Sequence, residues 1–224
     1  MRECPICNTP WQEFAGAASC LFCQVSESAD FHCAKGHYVC EDCRTDDPRD
    51  LVLRVCDRSK ETAPLALWNL VTAHGAFRTH GPQFHFALAP VLAAVLRNRG
   101  LLTVESGVLA TLTEKLSEIP ALSCAERGMC GVAATAGTIV SLLTHATPVS
   151  DKERRAALSA TGKALLEIAS HKGGRCCRQS SLTTLESVWI FLRNELALPL
   201  EPLEVSCRYS SQTADCKKEC VYHG

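Results

Sequence analysis

Apolar positions along this chain fall into two regimes. Through residue 45 they show little periodicity and mix with turn formers, too few to build an ordinary core. From residue 50 onward they recur at helical spacing. Short helices are expected from Asp50 to Cys56 and from Ala63 to Ala73. A third opens at Pro82, a favoured first position, and runs through PQFHFALAPVLAAVLRNRG to Gly100. Val104, Val108, Leu112 and Leu116 recur every four residues, and Pro120 ends that helix. Residues 129–145 read as an apolar helix with Ala133, Gly137 and Ser141 on one face. A face this small lets a neighbour approach closely and marks the helix as the buried central one. Ser150 to Glu153 reads as a capping box that opens a helix to His171. The last helix is expected from Ser181 to Leu196, followed by one strand near Leu203 to Cys207 and a polar end.

The fold class that results is mainly α. An N-terminal zinc-ribbon or treble-clef-like module, residues 1–47, precedes an all-helical bundle with a cysteine-rich C-terminal tail, residues 48–224. Asp46-Asp47-Pro48 forms the polar junction.

What replaces a core in the first segment is metal. Seven of the fifteen cysteines stand within the first 43 residues. Cys4/Cys7 and Cys20/Cys23 are Cys-x-x-Cys knuckles, and Cys33, His37, Cys40 and Cys43 follow at ligand spacing. Two knuckles can complete one tetrahedron, so eight ligands suit two zinc ions. Their pairing is open between sequential and cross-braced, and His32 is a spare candidate. Zinc affinity in such modules, on the order of 10–16 kcal/mol, drives their folding. Four protein ligands leave no open position, so these ions are structural by default.

Charge changes the picture little. The formal net charge is −1, and residues 1–60 hold seven Lys/Arg against ten Asp/Glu. That acidic balance disfavours phosphate, so nucleic acid is not an expected partner. No apolar run is long enough to span a bilayer. Met1-Arg2-Glu3-Cys4 enters the first knuckle without a signal peptide, and the cysteine count is odd. A cytoplasmic, reducing location is the expectation.

The remaining cysteines form a second constellation. Cys130 is expected near the N-terminus of the small-residue helix, where the dipole favours a thiolate. Cys176 and Cys177, after Gly173-Gly174-Arg175 and before Arg178, have positive charge and a helix start beside them. One of the two is the working thiol. Cys207, Cys216 and Cys220 could complete a four-thiolate site with a cysteine of the helical part, for zinc or an iron–sulfur cluster. His80 and His85 flank a Gly-Pro break and could converge on the same cofactor. Cys56 reads as a packed thiol, and His74, His145 and His171 receive no role.

The ordered set CPIC…CLFC, CAKGHYVCEDC, HGPQFH, CGVAATAGTIVSLLTHATPVS, GGRCC and the cysteine tail resembles an uncharacterised prokaryotic cysteine-rich family, domain of unknown function 5714. The family pattern often reads His-Gly-Pro-Glu-His-His where this chain has Gln83-Phe84-His85. The resemblance implies an association with methyltransferase-like or radical chemistry and no defined activity. The leading expectation is therefore a metal-binding protein in redox, sulfur or one-carbon (methyl) transfer, whose partner is a methyltransferase-like or redox enzyme. An adaptor with purely structural metals is the alternative. A hydrolase with catalytic zinc at His80 and His85 ranks last, because Gln83 stands where a general base is wanted.

Overall fold

The computed structural model describes residues 3–44, 47–77, 80–172, 176–210 and 216–223. Two antiparallel strands, β1 (Trp11–Ser19) and β2 (Ser26–Cys33), open the chain, and a 3-10 turn at Glu41–Arg44 closes the module. Eight helices follow among the described residues. They are α1 (Pro48–Arg58), α2 (Pro64–Thr72), α3 (Gln83–Asn98), α4 (Val108–Ser117), α5 (Ser123–Glu126), α6 (Ala134–Thr144), α7 (Asp151–Ser170) and α8 (Cys177–Asn194). The hairpin was not legible as strands. Its exposed positions carry small residues that give no clean alternation, and its apolar side chains (Trp11, Phe14) are only half-buried.

The hairpin sets the architecture of the module. The second knuckle, Cys20 to Val25, is the loop joining β1 to β2, and Trp11 pairs with Cys33 at the other end. After β2 the chain turns at Gly36, where a φ of +77° suits glycine, and Cys33 N–H donates to the His37 carbonyl. Tyr38 then bridges to Cys20. The two ends of the hairpin therefore meet adjacent residues, His37 and Tyr38. That requires a curled ribbon, and the register irregularity between Glu13 and Gly16 allows it.

In the helical body the central element is α3, buried from Gln83 through Leu96. It packs against α1, α2, α4, α6 and α8. The small-residue helix α6 is not the central one: its last turn, from Ser141 to Thr144, is partly exposed. Its small face works as expected, however. A Cβ on Gly137 would lie 2.2 Å from Thr161 Oγ1 and 2.7 Å from the Ala157 carbonyl, so α7 sits directly on that glycine.

Three local expectations are corrected. Ser150 precedes α7 but makes no capping box, because its Oγ donates instead to the Thr147 carbonyl at 2.9 Å. The α6 helix starts at Ala134, so Cys130 lies four residues before it, in a turn where the Ala133 amide bonds the Cys130 carbonyl. Leu203 to Cys207 forms no strand; Cys207 makes one isolated bridge, to His223. Gly173, Gly174, Arg175 and Asp46 lie outside the described residues.

Module and body share one continuous core that includes Phe22, Val39 and Cys43 with Leu51, Val55 and Trp68. Asp47 caps α1 by accepting the Arg49 amide at 2.8 Å. Arg54 of α1 reaches back to Asp42 at 2.6 Å. Among the described residues no helix is long and apolar enough to cross a membrane.

Candidate metal centres

The two knuckles have the same local shape. Cys4 N–H donates to the Thr9 carbonyl and Asn8 N–H to the Cys4 carbonyl. Cys20 N–H to Val25 and Gln24 N–H to Cys20 repeat the pattern. Asn8 and Gln24, each directly after the second cysteine, take positive φ of 54° and 62°. This left-handed residue turns the chain so that both sulfurs face one point. Asn8, whose short side chain tolerates this conformation, was the available signal at the first knuckle, and Gln24 gave none.

The curled hairpin then decides the pairing. One set is Cys4, Cys7, Cys33 and His37, and the other is Cys20, Cys23, Cys40 and Cys43, each with all donor atoms within 4.8 Å of one another. The arrangement is cross-braced, because alternate pairs along the chain share a centre. In the first set His37 Nδ1 lies 3.3, 3.5 and 3.4 Å from the sulfurs of Cys4, Cys7 and Cys33, and Cys7 and Cys33 are 3.6 Å apart. In the second, Cys23 and Cys40 are also 3.6 Å apart. Ligands bound about 2.0–2.3 Å from a tetrahedral ion stand roughly 3.3–3.8 Å from each other, so both sets fit. His32 is not a member: its Nδ1 meets the Cys33 carbonyl and its ring packs at a tilt against Phe14.

Electrostatics within the sets favour a cation. A hydrogen bond from the Cys43 thiol pulls Cys20 down to about 4. The same bond, with burial, pushes Cys43 far up, and burial raises Cys40 to about 12. Burial likewise raises Cys4 to about 11, while the Thr9 hydroxyl, donating at 3.0 Å, lowers Cys7 to about 7. Without metal, Cys20, Cys7 and Cys33 ionise more readily, while Cys43, Cys40 and Cys4 keep their protons. A divalent ion would let all of them ionise.

His74, which the sequence left without a role, completes the second set from outside. It is buried, its Nε2 lies 2.8 Å from the Cys43 carbonyl, and its Nδ1 accepts the Ala76 amide at 3.1 Å. Those two bonds fix the neutral tautomer with the proton on Nε2. Its ring meets Phe22 of the knuckle edge-on at 5.1 Å.

The other candidates are more dispersed. His85 lies in the first turn of α3, buried as expected, with Nδ1 donating to the Ile119 carbonyl at 3.1 Å. Gly131 packs on its ring, since a Cβ there would lie 2.4 Å from the imidazole. The HGPQFH and CGVAATAG motifs thus meet, with Cys130 beside the contact. His80 is exposed, just outside α3. Cys56 is fully buried in α1, where burial pushes its thiol up.

Cys176 is the N-cap of α8, its sulfur accepting the Gln179 amide at 3.4 Å, while Cys177 turns to the hydrophobic core. Cys207, Cys216 and Cys220 are half-buried in the tail. Among the described residues, only the two module sets hold three or more such donors within 4.8 Å.

No curated protein and no solved structure matches this chain. A family model does, over residues 52–223, which include the helical body and the cysteine tail and leave out both module sets. By that match the chain belongs to the family of unknown function DUF5714.

Proposed function

We propose that this chain is a zinc protein in which two ions act structurally, and that its chemistry belongs to the thiols of the helical body. One observation carries the reading: each module set supplies four protein donors around one point. A tetrahedral ion held this way keeps no position for substrate. The ions would fold the hairpin and fix it on α1 and α2. The half-buried thiols of the body, Cys130, Cys176 and the tail cysteines, are the groups available for redox, sulfur or one-carbon transfer alongside a methyltransferase-like or redox enzyme.

The test is zinc content and thiol reactivity together. The expected result is two zincs per chain, removal of which exposes the module cysteines to alkylation and loosens the fold. Modification of Cys176 and the tail thiols should leave that zinc in place. A zinc that exchanges rapidly with substrate-like thiols would contradict a structural role.

A second reading, an adaptor with structural metals alone, draws on a different observation. A groove of about 660 Å³ runs between α7, α8 and the tail, with Leu166, Ile190 and Val221 exposed along it. Such a surface suits a partner protein. Loss of partner binding on Leu166→Glu or Ile190→Glu, with no effect of Cys176→Ser on activity in the pathway, would favour this reading.

A further inference from the structure

The tail is folded back onto the start of α8 by contacts that bring four cysteines into one neighbourhood. Cys207 N–H donates to the Tyr222 carbonyl at 2.8 Å, and His223 N–H to the Cys220 carbonyl at 2.9 Å. Tyr222 anchors this turn on α8 through its hydroxyl, which donates to Glu186 at 2.7 Å. Arg178, two residues past Cys176, stacks on Tyr209, two residues past Cys207, at 3.6 Å. Cys176 Sγ is the N-cap of α8, so helix amides already face it. Cys220 N–H donates to the Lys217 carbonyl at 3.1 Å, so a tight turn links Cys216 to Cys220.

A second observation points to an anionic centre there. Arg178 is buried, its guanidinium donates to the main-chain carbonyls of Thr72 and Phe77, and the Tyr209 ring lies against it. Among the described residues it has no carboxylate partner. A buried cation without a counter-charge is costly, and a thiolate-held centre beside it would supply one.

We propose that Cys176, Cys207, Cys216 and Cys220 form a third, four-thiolate site that takes an iron–sulfur cluster rather than a single ion. No three of these four sulfurs fall within the 4.8 Å span that defines each module set, which argues for the larger centre. The module sets are already drawn together within 4.8 Å, as ligands of one ion must be, and the tail set is not. In a cluster each thiolate binds a different iron, so the four stand farther apart. Cys177, the first residue of α8, and Cys130, in the turn before α6, are outside the set. The proposal rests on the reading that the module ions are structural zinc and that the working thiols lie in the body.

The experiment uses the full chain, purified without oxygen and reconstituted with ferrous iron and sulfide, with iron, sulfide and zinc measured beside the visible spectrum. The wild type should hold two zincs together with iron and sulfide in equal amounts and an iron–thiolate absorption band. Cys176→Ser and Cys216→Ser should lose the iron, the sulfide and the band, and keep both zincs and the helical circular dichroism. Cys177→Ser and Cys130→Ser should keep all three. A colourless wild type, a third zinc lost on Cys176→Ser, or iron retained in both Cys176→Ser and Cys216→Ser would overturn the proposal. Iron retained by a chain without module zinc would instead overturn the structural-zinc reading and leave this site standing.

Discussion

The Nε2 of His74, in the loop after α2, lies 2.8 Å from the carbonyl oxygen of Cys43, a member of the second module set. This one bond ties the helical body to the backbone of a metal-type ligand. It also helps explain why Cys43 and Phe22 share a core with α1 and α2. The Ala76 amide on Nδ1 holds the imidazole in the tautomer that can donate.

His74→Phe keeps the ring against Phe22 and removes both hydrogen bonds. It should cost about 1–3 kcal/mol of stability, because the buried Cys43 carbonyl and Ala76 amide lose their partners. Zinc should pass to a colorimetric chelator faster than from the wild type. Denaturant unfolding and chelator kinetics read the two effects, and an unchanged release rate would mean that the latch does not support the second set.

Gly137 gives a packing prediction. Gly137→Val would drive a side chain into Thr161 Oγ1 and the Ala157 carbonyl, and the second of these is backbone. The two helices must move apart, at a cost of about 1–3 kcal/mol. Trimming the neighbour with Thr161→Ala should restore little of that, because the carbonyl remains. Full rescue by Thr161→Ala in thermal melts would show that the contact with Ala157 is not limiting.

Zinc binding to the metal-free protein should release protons. Burial holds Cys40 protonated up to about 12, and the Cys20 hydrogen bond, with burial, pushes Cys43 far up. Both must ionise to ligate, so the second set gives up at least two protons near neutrality. The sign follows: affinity rises with pH, by about a hundredfold per pH unit for two protons, and zinc is lost as pH falls. Calorimetry in buffers of different ionisation enthalpy counts the protons directly. A pH-independent affinity would contradict the ionisation states assigned here.

How much of this was legible before the fold is instructive by residue. The eight module positions that gather into two donor sets were readable because Cys-x-x-Cys spacing is short-range geometry, and α3 was readable from the Pro82 start and the apolar run to Leu96. The pairing was not, since it depends on how a weakly patterned hairpin curls. Tyr38 meeting Cys20 is a tertiary fact with no local signature. His74 was invisible for the same reason: its partner is 31 residues away and is a backbone carbonyl. The small face of α6 was read correctly at Gly137 but assigned to the wrong helix rank. Small residues report close approach by one neighbour, whereas centrality needs apolar residues all round, as α3 has.

The pairing of the module cysteines is the most direct test, and zinc stoichiometry in double variants reads it. Cys4→Ser with Cys33→Ser removes ligands from one set, so one zinc should remain per chain. Cys4→Ser with Cys20→Ser touches both sets and should leave none. If Cys4→Ser with Cys20→Ser kept one zinc while Cys4→Ser with Cys33→Ser kept none, the ligands would be paired sequentially and the cross-braced module described here would be wrong.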